Sequence, residues 1–166
     1  MALMQVRGDW APMRGALEKI AAIGRSPQAV LEAIALELED NTRRRFTTNV
    51  APDGSQWVPL NPAYASGRKP LPILVQSGRL RNDLSSEVRG HTIIVGSAVP
   101  YAAVHQFGAT IIPSTKNSLA FNMGGKMVHA KKVVIPARPF LGFGAEDRVA
   151  VVEQLHLALE LAMQAR

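Results

Sequence analysis

The feature that most restricts this chain's fold lies near its middle, where a β-type run from His91 to Val95 meets a break at Gly96-Ser97 and then Pro100. From Tyr101 the apolar residues Tyr101, Val104 and Phe107 recur at one helical turn, and Gly108 follows as a C-terminal stop. The spacing predicts a strand feeding a short helix whose Tyr101, Val104 and Phe107 face inward. A chain with this elbow must carry both strands and helices.

The N-terminal flank reads as helical. Met1 to Gly8 is expected to be a flexible end, and Asp9 can cap a helix from Trp10 to Ile23 with Trp10, Met13, Leu17 and Ile20 in one stripe and Gly24 as its stop. Ser26-Pro27 marks a restart, with Ser26 as cap and proline where an amide would be unpaired anyway. The second helix is expected to reach about Thr47 on a face of Val30, Leu31, Ile34, Leu38 and Thr42. Its acidic residues Glu32, Glu37, Glu39 and Asp40 precede Arg43, Arg44 and Arg45, which places the cations where the helix dipole favours them. The triple arginine therefore reads either as an ordinary helix-end cluster or as a phosphate or partner contact.

Pro52-Asp53-Gly54 is a turn, after which Trp57, Pro59 and Leu60 form an anchor laid over the core. From Asn61 to Pro72 the prolines and glycine predict a loop or arm without regular structure. Gly78 allows a tight bend before a helical turn at Arg79 to Leu84, and Ser85 to Arg89 and His91 to Gly96 read as two strands around Gly90. Beyond the elbow, Ala109 to Ile112, Leu119 to Asn122 and Lys126 to Ile135 are strand candidates, the last two joined through the hairpin signal Met123-Gly124-Gly125. Pro136 and Pro139 exclude an interior strand, so this segment delivers Phe140 and Leu141 as core contacts into a final helix from Gly144 to Gln164. On that helix Glu146, Asp147, Glu153, Gln154, Glu160 and Gln164 span roughly 140° of the wheel. The opposite, broad apolar side, with Val151, Leu157 and Leu161, needs a partner: the N-terminal helices or a neighbouring subunit.

The fold class that follows is α+β, a single domain over 1–166. N-terminal helices precede a small, mainly antiparallel sheet of four or five strands with a short inserted helix, and a long C-terminal helix packs on the sheet. The absence of cysteine suits an intracellular setting, and no apolar run reaches the length of a membrane span, so no membrane partner is expected. The N-terminus lacks the long apolar stretch of a signal peptide.

Charge is unevenly placed. From Val88 to Ala145 there is no Asp or Glu, while Arg89, Lys116, Lys126, Lys131, Lys132 and Arg138 together match the whole net charge of +6. That stretch is either a solvated basic face or a surface facing DNA or an acidic neighbour.

Pro100 to Gly108, with Tyr101, His105, Gln106, Phe107 and Gly108, resembles the central motif of the tailed-phage virion morphogenesis proteins, the Mu-type tail-completion or head-tail joining family. Three further blocks agree in the same order. They are Ala51 to Leu60 with Trp57, Leu74 to Arg81 with Gly78, and Ile135 to Gly142 with Pro139 and Phe140. Together they cover the chain from about Ser26 to the C-terminus. The resemblance implies a structural virion protein of the neck that completes the tail top or joins head to tail. It also implies an oligomeric ring around the DNA path, for which the resemblance suggests sixfold symmetry, with connector or tail-terminator proteins as neighbours and assembly in the host cytoplasm. Such a ring needs head-to-tail contacts and arms that order on assembly, and the loop 61–72 and the hairpin at Gly125 are the arm candidates.

Catalytic signatures are missing. His91, His105, His129 and His156 have no partner at ligand spacing, so no metal site is expected, and His105 reads as a hydrogen-bonded structural residue. No Gly-x-Ser-x-Gly elbow occurs, and Gly124-Gly125-Lys126 lacks the rest of a phosphate loop. No enzyme activity and no cofactor are expected. The alternative is a DNA-binding module acting through its basic face, with Arg43, Arg44, Arg45, Lys116, Lys126, Lys131 and Lys132 as contacts. Phe121 alone interleaves with those lysines, so base stacking has little support.

Overall fold

A computed structural model describes residues 11–67, 69–115 and 117–164. The expectations for the end 1–8, Asp9, Trp10, Arg68 and Lys116 lie outside the described residues.

Helix α1, Ala11–Arg25, runs through Gly24 instead of stopping there. Nothing crowds Gly24, so its conformational cost is borne in an exposed last turn, and the chain breaks one step later at Ser26-Pro27. Helix α2, Gln28–Thr48, begins with Pro27 itself at the cap position and no side-chain cap bond. Ser26 thus sits one residue too early to serve as the cap assigned to it. At the other end Asn49 adopts a left-handed conformation (φ 58°) and its N–H donates to Arg45 O. Its side-chain oxygen accepts from Ile73 N, and its carbonyl accepts from Trp57 N, so one residue ties three segments together.

Inside the segment 61–72, read above as irregular, one turn of helix forms: α3, Pro62–Ala65. Asn61 accepts from Ala63 N at 2.9 Å, and Pro62 takes a position needing no donor, so an Asn-Pro pair starts a helix even among breakers. Gly78, at φ 73°, opens α4, Arg79–Asn82. Strands β1 (Leu84–Arg89) and β2 (Thr92–Ser97) pair antiparallel around Gly90-His91, with Arg89 opposite Thr92. The short helix α5 is Ala102–Phe107 and ends at Gly108, φ 74°.

The remaining strands do not join that pair. Strand β3 (Ala109–Ile111) pairs antiparallel with β6 (Val133–Ile135), and β4 (Leu119–Met123) pairs with β5 (Lys126–Ala130). The described residues therefore form three separate two-stranded ribbons where a four- or five-stranded sheet was expected. Lys131-Lys132 interrupts what read as one strand from Lys126 to Ile135, and its two halves take different partners. At the β4–β5 tip Gly124 and Gly125 both have positive φ, 61° and 82°, the requirement of a primed two-residue turn.

Helix α6, Ala145–Gln164, packs mainly against α2 and α1 rather than, as expected, on a sheet, while α2 also packs on β1 and β2. The α+β class holds, with α2 as the central element. The core gathers Phe46, Trp57, Phe140, Leu80, Leu84 and Val99. Phe46 meets Trp57 edge to face at 5.5 Å and Phe140 at 5.3 Å between ring centres. The indole N–H of Trp57 donates to Pro139 O at 2.8 Å, so the proline-bearing segment is fastened to the core it supplies.

Candidate docking site

The elbow is oriented differently from the sequence expectation. Tyr101 and Phe107 face outward, Phe107 at 78% exposure, Val104 is half-buried, and Ala102 is the buried residue of α5. The reason is polar anchoring. Gln106 accepts from Phe140 N and Leu141 N, both at 3.0 Å, and donates to Leu141 O at 2.8 Å, while Arg138 N donates to His105 O at 2.7 Å. Ala102, His105 and Gln106 share one helical face, and these bonds turn that face toward 138–141. Gly108 is required where α5 ends, because a Cβ there would lie 2.9 Å from Ala137 N and Ile135 O.

The triple arginine divides into two kinds. Arg45 is buried: it donates to Phe140 O and Gly142 O at 2.9 and 3.0 Å and pairs with Asp147, so it is no candidate for a DNA contact. Arg43 pairs with Glu39 and donates to Leu84 O, and Arg44 pairs with Glu37 and Asp40 on the outer surface. Asp147 was placed on the polar side of α6 but is 1% exposed. Its carboxylate also accepts from Gly144 N at 2.7 Å, the backbone half of a capping box, and from Asn41 at 3.2 Å. Asn41 and Arg45 stand one turn apart on α2, the one signal in the sequence for this network.

Lys126, Lys131 and Lys132 are exposed on the β4–β5 ribbon and its exit, whereas Arg43 and Arg44 stand on α2. Among the described residues no group of three or more His, Asp or Glu stands close enough to hold a metal ion, and no helix is long and apolar enough to cross a membrane.

Two surfaces expose apolar residues. One is a cleft of about 650 Å³ between α5 and the ribbons β3–β6 and β4–β5, walled by residues such as Tyr101, Ile111, Phe121 and Val134. Arg138, at 5% exposure, lies in this lining, with Nε and Nη2 donating to Val58 O and Pro59 O; no carboxylate pairs with it among the described residues. Beside it His105 has a buried Nδ1 with no hydrogen-bond partner, and burial, then the charge of Arg138, holds its pKa below the ordinary value. His105 meets Tyr101 edge to face at 5.8 Å.

The other surface is the helical face. Met13, Leu17 and Ile20 of α1 are exposed, as are Val149, Leu157 and Leu161 of α6, while Val151 is half-buried. α1 therefore covers part of α6 and leaves apolar residues of both in solvent.

The described residues thus combine a fastened core with open apolar faces and an acid-free cleft. A family model for the phage virion morphogenesis family matches residues 9–160, and the chain belongs to that family. It is 29% identical over 149 residues to the Mu-like prophage FluMu G protein 2 of Haemophilus influenzae, covering 90% of each chain. It is likewise 29% identical over 152 residues to the tail completion protein S of Escherichia phage P2, covering 88% of this chain and 91% of the relative. A second Haemophilus influenzae relative, FluMu G protein 1, is 24% identical over 160 residues, covering 92% and 91%. No solved structure matches the chain.

Proposed function

We propose that this chain is a structural, non-enzymatic protein of a phage particle, acting at the neck to complete the tail top or join head to tail as an oligomeric ring around the DNA path. The observation that carries this reading is family membership over nearly the whole chain, joined to apolar helix faces left open in the single copy. Val149, Leu157 and Leu161 of α6, each about half exposed, have a further burial free energy of roughly 1 kcal/mol each available to a partner. Sixfold closure and contact with connector or tail-terminator proteins belong to the same reading, as does residence in the virion. Electron microscopy of particles made without the chain tests it: separate filled heads and finished tails support joining, and missing tails overturn it in favour of an earlier step.

A second reading, a DNA-binding module, draws on the acid-free stretch from Val88 to Ala145 with Lys126, Lys131 and Lys132 exposed on it. It predicts steeply salt-dependent DNA affinity of the isolated monomer. Burial of Arg45 and the ion pairs of Arg43 and Arg44 reduce the charge available to it.

A further inference from the structure

We propose that the cleft between the β3–β6 and β4–β5 ribbons receives the outer strip of α6 from a second copy of this chain. The inference rests on the ring reading and names the contact that ring would use. The strip consists of Val149, Leu157 and Leu161, exposed at 56%, 48% and 58%; the leucines share the side of the helix that bears the exposed carboxylates of Glu146, Glu153 and Glu160, rather than the opposite side expected from the sequence. None of these three carboxylates forms a salt bridge among the described residues.

The cleft has the opposite deficiency. Its walls are largely apolar, its buried guanidinium, Arg138, has no carboxylate partner, and the whole segment that shapes its ribbons contains no Asp or Glu. An occupant that brings apolar side chains together with negative charge satisfies both, as an amphipathic helix does when its apolar anchors at one-turn spacing enter a groove. Leu157 and Leu161 have that spacing. Pairing two α6 strips face to face would instead set glutamates against glutamates, so the charge pattern disfavours a symmetric dimer. No residue of α6 lines the cleft, so strip and cleft are different surfaces, and their contact would be head-to-tail, the kind that repeats around a closed ring.

The natural lack of cysteine makes this directly testable in the full-length chain. Leu157→Cys or Leu161→Cys marks the strip, and Ile111→Cys or Val134→Cys marks the cleft wall, where both residues are exposed. With a short bismaleimide, a strip variant mixed with a cleft variant is expected to give cross-linked dimers. Either variant alone gives none, and a chain carrying both cysteines gives a ladder. The same pairs are examined in assembled particles. Oligomers that cross-link strip to strip, or not at all between strip and cleft, overturn the proposed contact while leaving the ring intact. A single copy per particle overturns the ring reading itself. Glu153→Lys with Glu160→Lys should weaken self-association about tenfold or more without moving the unfolding midpoint, and unchanged association contradicts the proposal. Cross-links suppressed by a small apolar compound but untouched by charge reversal also contradict it, since they assign the cleft to a ligand.

Discussion

The second half of α2 and the second half of α6 are both helix ends mixing aliphatic and charged residues, yet one is sealed and the other open. In the second half of α2, Glu39, Asn41, Thr42, Arg45 and Phe46 are all buried, and the side chains of Glu39, Asn41, Thr42 and Arg45 have hydrogen-bond partners. In α6 beyond Ala150 no described residue is fully buried, and Leu155, Leu157, Leu161 and Met163 stand exposed. Burial here follows satisfaction of polar groups as much as apolar content. The first region is a self-sufficient core, and the second has the makings of an interface.

The comparison breaks most visibly in the sealed region. Phe140→Ala is expected to cost about 3–5 kcal/mol in denaturant unfolding, because the ring is fully buried against Phe46. Asp147→Ala should cost a similar ~3–5 kcal/mol by leaving the Arg45 guanidinium buried without its counter-charge. A loss below about 1 kcal/mol in either variant would mean that the core is not closed as described. Gln106→Leu leaves the amides of Phe140 and Leu141 without their acceptor and should cost about 1–3 kcal/mol. Arg44→Gln sharpens the contrast from the other side: its exposed pairs contribute under about 1 kcal/mol, so a larger loss would place it with Arg45.

A pH effect follows from His105. Its folded-state pKa lies below the ordinary value of 6.5, so the unfolded chain binds the proton more readily. Its contribution to stability is present above pH 6.5 and declines as pH falls below that value toward the folded-state pKa. Urea midpoints of the wild-type chain and of His105→Phe, compared across that window, should show the decline in the first and a shallower slope in the second.

At the open end, Leu157→Ser should alter stability by no more than about 0.5 kcal/mol while impairing assembly. This is the smallest expected change in folding.

Much of the frame was legible in the sequence. Helices at both ends, the β1–β2 hairpin, the Gly124-Gly125 turn, and the core positions of Trp57 and Phe140 follow from local chemistry: glycines where φ is positive, prolines where no donor is needed, large aromatics beside turns. Strand partners were not legible, because β3 and β6 are three residues long and the choice of partner depends on tertiary placement. Nor was the rotation of α5. Apolar spacing pointed Tyr101 and Phe107 inward, and the hydrogen bonds of Gln106 to residues more than thirty positions away decided otherwise. Asp147 was misplaced for the same reason, since its partner Arg45 lies 102 positions earlier and periodicity alone grouped it with solvent-facing glutamates. The candidate docking surfaces fared unevenly: Leu157 and Leu161 stood out as surplus apolar residues, whereas the pairing of a buried Arg138 with an acid-free cleft depends on how separate ribbons fold together.

The most direct test is a cryo-electron microscopy reconstruction of the assembled neck, read for what covers Leu157 and Leu161. Several copies in a ring are expected, with those leucines buried against the adjacent copy. A solitary copy whose final helix keeps that face in solvent would contradict that arrangement.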